Sequence, residues 1–178
     1  MPPPPYSLRP ATSGDAPFLA EMVVAAVNWD PAHPPASRER VLGDPRNAHY
    51  VDGWPRAGDL GLVAVDADAT PVGAAWLRRF AADDPGYGFV AEDVPEVSLG
   101  VVAGWRGRGA GRALLRALLE EAAAAGVRRV SLSVERENRA RGLYVAEGFV
   151  VVHEDRDADT MLLDRGAAAP PAPEPSAS

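Results

Sequence analysis

Apolar and polar positions are patterned most sharply over residues 96–119, EVSLGVVAGWRGRGAGRALLRALL. Val97, Leu99, Val101 and Val102 form an apolar run of the kind that predicts a buried strand. Leu114, Leu115, Leu118 and Leu119 recur at helical spacing and predict an amphipathic helix. Between them Arg106, Gly107, Arg108, Gly109, Ala110 and Gly111 read as a glycine-rich turn. Upstream, residues 6–9 predict a short strand. Asp15 is a candidate N-cap for a helix reaching residue 27, with Phe18, Leu19, Met22, Val23 and Val27 on one face. Prolines mark residues 28–35 as a loop, and residues 37–42 predict a second helix ended by Gly43, Asp44 and Pro45. Residues 61–65 and 72–80 predict a hairpin through the polar turn 66–70, and alternation puts Ala74, Trp76 and Arg78 on one face. Residues 81–95 read as a long acidic loop carrying Tyr87 and Phe89. A strand at 130–134, a helix at 139–147 and strands at 149–153 and 160–163 complete the order. The pattern β-α-α-β-β-β-α-β-α-β-β predicts a mixed α/β (α+β) domain over residues 6–165. Residues 1–5 are a proline-rich tail, and residues 166–178, rich in Ala and Pro, are expected to be disordered.

A strand that feeds a glycine-rich turn at a helix start aims several free backbone N–H groups one way, with the positive end of the helix dipole behind them. Gly107, Gly109 and Gly111 let phosphate oxygens approach without a Cβ in the way, and Arg106 and Arg108 add positive charge. The turn therefore predicts a pyrophosphate cradle. It is not a nucleotide P-loop, because Arg112 and Ala113 stand where Lys and then Ser or Thr would follow. The glycine spacing is also wrong for the GxGxxG dinucleotide fingerprint.

The order Arg106-x-x-Gly109-x-Gly111 resembles motif A of the GNAT superfamily, the acyl-CoA-dependent N-acetyltransferases. One helix and one strand later come Asn138, Ala140, Leu143, Tyr144, Gly148 and Phe149, similar to motif B of that superfamily, with the alanine register displaced. The resemblance is strong over residues 96–149. It implies the GNAT acyl-CoA N-acyltransferase fold, a central mixed, mostly antiparallel sheet with a splayed parallel strand pair, flanked by helices. A bulge after the middle of the motif A strand would open the splay. Acetyl-CoA would be the co-substrate, its pantetheine arm along Leu99, Gly100, Val101 and Val102 and its pyrophosphate against Arg106, Gly107, Arg108, Gly109, Ala110, Gly111 and Arg112. Asn138 would bond the pantetheine, or act as an N-cap, or both.

The implied chemistry is direct attack of an amine on the thioester in a ternary complex. A backbone N–H near Val101 or Val102 would meet the oxyanion. Tyr144 would protonate the leaving thiolate, the alternative being an aromatic that packs on the core beside Phe149. Glu96 is the candidate general base, with Glu92 and Asp93 as alternatives; an exposed strand-end carboxylate or an ion pair is the structural alternative for Glu96. Trp29, Asp30 and Trp76 are expected to form the acceptor pocket, with His33 and Trp54 as further candidates. Such a wall suits an aliphatic or aromatic amine, whether a small molecule or a peptide. The same motifs would also serve a non-catalytic acyl-CoA-binding module.

Composition narrows this further. The chain has 178 residues and a formal net charge of −7, which argues against nucleic acid as the main partner. It has no cysteine, so thiolate metal sites and a cysteine-acyl intermediate are excluded. His33, His49 and His153 lack ligand spacing, so no metal is expected. The absence of a long apolar run or a basic-then-apolar leader predicts no membrane association and a cytoplasmic location. Lysine, isoleucine and glutamine are absent and every basic residue other than histidine is arginine, which points to a GC-rich, bacterial genome. Dimers are common in the family, so a homodimer is among the expected assemblies.

Overall fold

The computed structural model describes residues 4–166. Residues 1–3 of the proline-rich tail and residues 167–178 of the tail expected to be disordered lie outside the described residues. The elements are β1 Ser7–Pro10, α1 Ala16–Val27, α2 Arg38–Leu42, α3 Pro45–Ala48, β2 Leu60–Val65, β3 Pro71–Arg78 and β4 Glu96–Val101. They continue with α4 Ala110–Ala124, β5 Arg129–Glu135, α5 Ala140–Ala146, β6 Val150–Glu154 and β7 Ala158–Asp164. The strands form one seven-stranded sheet in the order β1-β2-β3-β4-β5-β7-β6. Every pairing is antiparallel except β4 with β5. No helix of the described residues is long and apolar enough to cross a membrane.

Period-two alternation gives the sheet two buried faces. Leu62 and Ala64 of β2 and Ala75 and Leu77 of β3 pack with Leu114, Leu115, Leu118 and Leu119 of α4. Val63, Val65, Ala74 and Trp76 point the other way, onto Leu19, Met22 and Val23 of α1 and Val41 of α2. The leucine stripe expected for α4 is the one observed, and its four leucines are all essentially buried.

Most predicted elements shift by only one or two residues at their ends. α3, four residues long and capped by Asp44 through the Arg46 N–H, was not expected. Asp15 does not cap α1. Its carboxylate turns back to accept from the Thr12 N–H at 2.7 Å and from both terminal nitrogens of Arg9 at 2.8 Å. A capping residue must lie outside the helix in extended backbone, and Asp15 instead sits in a short 3-10 turn (Ser13–Asp15) with helical dihedrals. Arg9 and the Thr12 N–H hold the Asp15 carboxyl down at about 2.

The parallel pair β4–β5 meets in register only at Glu96 and Ser131, where the Ser131 N–H donates to the Pro95 carbonyl at 3.0 Å. Beyond that point the strands part. The expected bulge is not there: β3 and β4 run in register without a shift from Arg78 opposite Glu96 to Gly73 opposite Val101. The parting has another cause. β4 stays bonded to β3, while β5 is paired along its whole length with β7, from Arg129 opposite Asp164 to Glu135 opposite Ala158. Each strand follows its own partner, and the sheet forks.

Candidate active site

The fork opens onto a cavity of about 460 Å³ whose wall draws on both faces of the sheet. Met22, Val23, Trp29, Asn47, Tyr50, Trp76 and Tyr87 line it from the α1 side. Leu99, Asn138, Ala140 and Tyr144 line it from the α4 and α5 side, and Glu96 stands at the apex of the fork. A wider groove of about 940 Å³ adjoins it, sharing Val27, Trp29, Asn47 and Glu135 as common wall.

The cradle is built by the end of β4 and the start of α4. Gly107 and Gly109 take φ values of +75° and +87°, left-handed backbone that other residues adopt at a cost. The first backbone bond of the helix runs from the Ala113 N–H to the Gly109 carbonyl at 3.0 Å. The N–H groups of residues 107–112 make no hydrogen bond among the described residues, so a row of donors lies open at the positive end of a fifteen-residue helix. These residues fit a pyrophosphate. Arg108 stacks over Trp105 at 4.9 Å, and Arg106 folds back so that its Nε donates to the Val101 carbonyl at 3.1 Å. Arg112 lies 3.5 Å from the Glu147 carboxylate, which also holds Arg116 at 2.9 Å.

The strand register decides which β4 backbone groups face the fork. The Val102 N–H donates to the Val72 carbonyl at 2.9 Å, so it is consumed by β3 and cannot meet an oxyanion. Antiparallel alternation then turns Gly100 and Ser98 towards β3 as well, and turns Leu99 and Val101 towards the opening. Of the four backbone positions expected to hold the pantetheine arm, Leu99 and Val101 face it, while Gly100 and Val102 do not.

Tyr144 lies on α5 with its ring edge-on to Phe149 at 5.9 Å and reaches the cavity wall. No hydrogen bond meets its hydroxyl among the described residues, and burial pushes its pKa up to about 12. Asn138 accepts from the Ala140 N–H at 2.9 Å, an Asx turn that opens α5, and it also lines the cavity.

Glu96 is neither an exposed strand-end carboxylate nor part of an ion pair among the described residues. It is 4% exposed. Its Oε1 accepts from the Tyr50 hydroxyl at 2.6 Å and from the Gly88 N–H at 3.0 Å. Oε2 is buried without a partner beside Gly86, where a Cβ would stand 2.1 Å from it. Burial drives the Glu96 pKa up, the bonds from Tyr50 and Gly88 pull it partly back, and it comes to about 7. The alternative carboxylates lie elsewhere: Glu92 accepts from the Ala82 N–H, and Asp93 pairs with Arg129 at 2.8 Å.

Trp29 lines the cavity and the groove, and Trp76 is both core and cavity wall, 1% exposed, with its Nε1 donating to the Tyr50 carbonyl at 2.9 Å. Asp30 is not in the cavity but in the groove, where it bonds the Ala32 N–H and His33. The proline-rich turn after α1 carries it outward. Trp54 is core, its Nε1 bonded to the Thr12 carbonyl, so it lines neither space. Arg78 is spent on Asp59 and on the carbonyls of His49 and Asp52. Sequence reasoning passed over Asn47 and Tyr50 altogether. Asn47 lies in, and Tyr50 just after, a helix too short to show a period, and they reach Tyr87 and Glu96 across about forty residues of chain.

A forked mixed sheet whose fork opens beside a glycine-rich helix start is the arrangement expected of the GNAT fold. Residues 25–149 match the family model described as the acetyltransferase (GNAT) family, and the chain belongs to that family. Over 103 residues it is 42% identical to the mycothiol acetyltransferase of Beutenbergia cavernae, a match that covers 53% of this chain and 30% of that one. The chain thus spans under a third of that relative's length. Among solved structures, the ACIAD1637 protein of Acinetobacter baylyi shares the fold at a TM-score of 0.68 and 19% identity, covering 94% of this chain and 97% of the other. yncA of Salmonella typhimurium, solved with its cofactor acetyl-CoA, superposes at a TM-score of 0.65 with 24% identity, over 95% of this chain and 99% of that one.

Proposed function

We propose that this chain transfers an acetyl group from acetyl-CoA to a primary amine, by direct attack in a ternary complex. One observation carries the reading: the row of unbonded N–H groups at residues 107–112 and the cavity holding Tyr144 and Glu96 adjoin the same fork. The bound acetyl-CoA in yncA supports the choice of donor. The pyrophosphate rests on the N-terminus of α4, and the pantetheine arm lies along Leu99 and Val101 as an added strand. When bound, the donor supplies an activated thioester carbonyl.

The amine enters from the α1 side, between Trp29, Tyr50, Trp76 and Tyr87. The aromatic wall favours an ammonium, and Glu96 is the final acceptor of its proton. The C–N bond forms and the C–S bond breaks, with the oxyanion met by the Leu99 or Val101 N–H. The expelled thiolate takes the Tyr144 proton, and the tyrosinate regains one from the nitrogen of the new C–N bond, leaving a neutral amide and an intact phenol. Burial raises the Tyr144 pKa to about 12, so the phenol holds its proton until the thiolate is expelled beside it. Holding both reactants in one cavity supplies much of the rate. The aromatic wall suits an acceptor whose amine is carried on aliphatic or aromatic carbon.

Release of CoA thiol from acetyl-CoA over a panel of amines tests the reading, with tyramine, spermidine, free amino acids and a peptide N-terminus as probes. Turnover with at least one amine, lowered about ten- to a thousandfold in Tyr144→Phe with CoA affinity kept, is expected. CoA binding with no turnover on any amine would leave a non-catalytic acyl-CoA-binding module instead.

A further inference from the structure

Glu96 offers no free oxygen to the cavity it borders. Oε1 is occupied by the Tyr50 hydroxyl and the Gly88 N–H, and Oε2 is sealed against Gly86. Tyr50 lines the same cavity, with its hydroxyl bonded to the carboxylate. The Tyr50 hydroxyl has one proton and two lone pairs. The proton goes to Glu96 at 2.6 Å, and one lone pair accepts the Tyr87 N–H at 2.7 Å. The second lone pair is left unbonded, whereas the unpartnered Glu96 Oε2 is shut off from the cavity.

Resting on the reading that Glu96 is the final proton acceptor, we propose that Tyr50 is a catalytic relay that takes the ammonium proton on its hydroxyl oxygen while passing its own proton to Glu96. In that step an N–H bond of the ammonium breaks and a Tyr50 O–H bond forms. The original Tyr50 O–H bond breaks and an O–H bond to Glu96 Oε1 forms. The products are a neutral amine, an intact phenol and a neutral carboxylic acid. The two shifts are concerted, so no free tyrosinate arises in a site whose burial and carboxylate neighbour both oppose it.

Tyr50 is held in place for this work. It follows the C-terminal end of α3, its carbonyl is pinned by Trp76 Nε1, and its ring sits edge-on to Phe80 at 5.0 Å and stacked on Tyr87 at 6.2 Å. The ionisable groups packed around the pair are His49, whose Nδ1 lies 3.0 Å from Asp84, Arg78, ion-paired with Asp59 at 2.6 Å, and Tyr87. Glu135 lies in the cavity wall.

Turnover of Tyr50→Phe, Glu96→Gln and the double variant is measured from pH 6 to 10 with the best amine. Each single variant should lose about ten- to a hundredfold at neutral pH and recover where the amine is already neutral, with the double variant no slower than the slower single one. A packing role for Tyr50 would give losses that multiply and an unshifted pH profile. If Glu96→Gln is slow while Tyr50→Phe keeps the parental profile, the relay is overturned and the base reading stands. If Glu96→Gln keeps the parental profile, the base reading falls and the relay with it. Should Tyr50→Phe not fold, the parent in H2O–D2O mixtures decides. A rate that curves with deuterium fraction supports two protons moving together, and a straight line overturns the relay.

Discussion

Glu147, the residue that closes α5, holds Arg116 of α4 at 2.9 Å and lies 3.5 Å from Arg112. One carboxylate thus joins the helix that begins at the cradle to the helix that carries Tyr144. It also places negative charge beside Arg112, a residue of the proposed pyrophosphate site. Both arginines are more than half exposed, so water screens the pairs and they add little to stability. Glu147→Gln should therefore melt within a few degrees of the parent and bind CoA a few-fold more tightly at low salt. Calorimetry at two salt concentrations checks it; weaker CoA binding would mean that the ion pair orders the cradle.

Gly109→Val puts a β-branched residue at a φ of +87°. The nearest atom to an added Cβ is the Tyr6 hydroxyl at 3.6 Å, so backbone strain outweighs any clash within the protein. The strain costs about 1–2 kcal/mol of stability. The side chain also stands over the open N–H groups, so CoA affinity should fall at least tenfold by calorimetry on folded protein. Undiminished affinity would put the phosphates elsewhere.

The buried Glu96 makes a pH-dependent stability cost. Its ordinary pKa of 4.5 rises to about 7 on folding, so between those values the folded chain binds more protons than the unfolded one. Stability from this group therefore falls as pH rises through that window and levels off above about pH 7. The full cost is on the order of 3 kcal/mol, from about 1.4 kcal/mol per pKa unit. Glu96→Gln should be relatively more stable than the parent at pH 8 than at pH 5, measured by denaturant unfolding at both. A constant difference across that range would contradict a raised pKa.

Gly88 lies so close to β5 that a Cβ there would come within 2.4 Å of the Leu132 carbonyl carbon. No rotamer relieves a clash with backbone, so Gly88→Ala must push the loop off the strand and break the Gly88 bond to Glu96. Turnover and thermal stability should fall together, the melting temperature by several degrees. A variant with parental melting and parental rate would show that the loop has room to spare.

The glycine turn ahead of α4 and the place of Tyr144 on a helix were legible in the sequence because their signals are local. Glycines before a leucine stripe mark a strand–turn–helix, and the helix period needs only its own residues. Glu96 was legible as a candidate but not as a buried group, since its burial comes from Tyr50, Gly86 and Gly88, set by a loop with no period of its own. Thr12 followed three residues later by Asp15 was a turn signature that could have redirected the N-cap reading, because Asp15 bonds back to the Thr12 N–H. The missing bulge has a different origin. Nothing within residues 96–101 records that β5 will follow β7, so the reason for the fork lies in a pairing that the motif A strand never makes.

The fork also divides the site along the chain. Trp29, Asn47, Tyr50, Trp76 and Tyr87 all precede β4 in the chain, whereas the cradle, Asn138 and Tyr144 all follow it. On the proposed function, substitutions before β4 would alter the amine wall while the residues after it kept their hold on the donor. A chimaera joined within β4 would exchange acceptors between relatives at a single crossover.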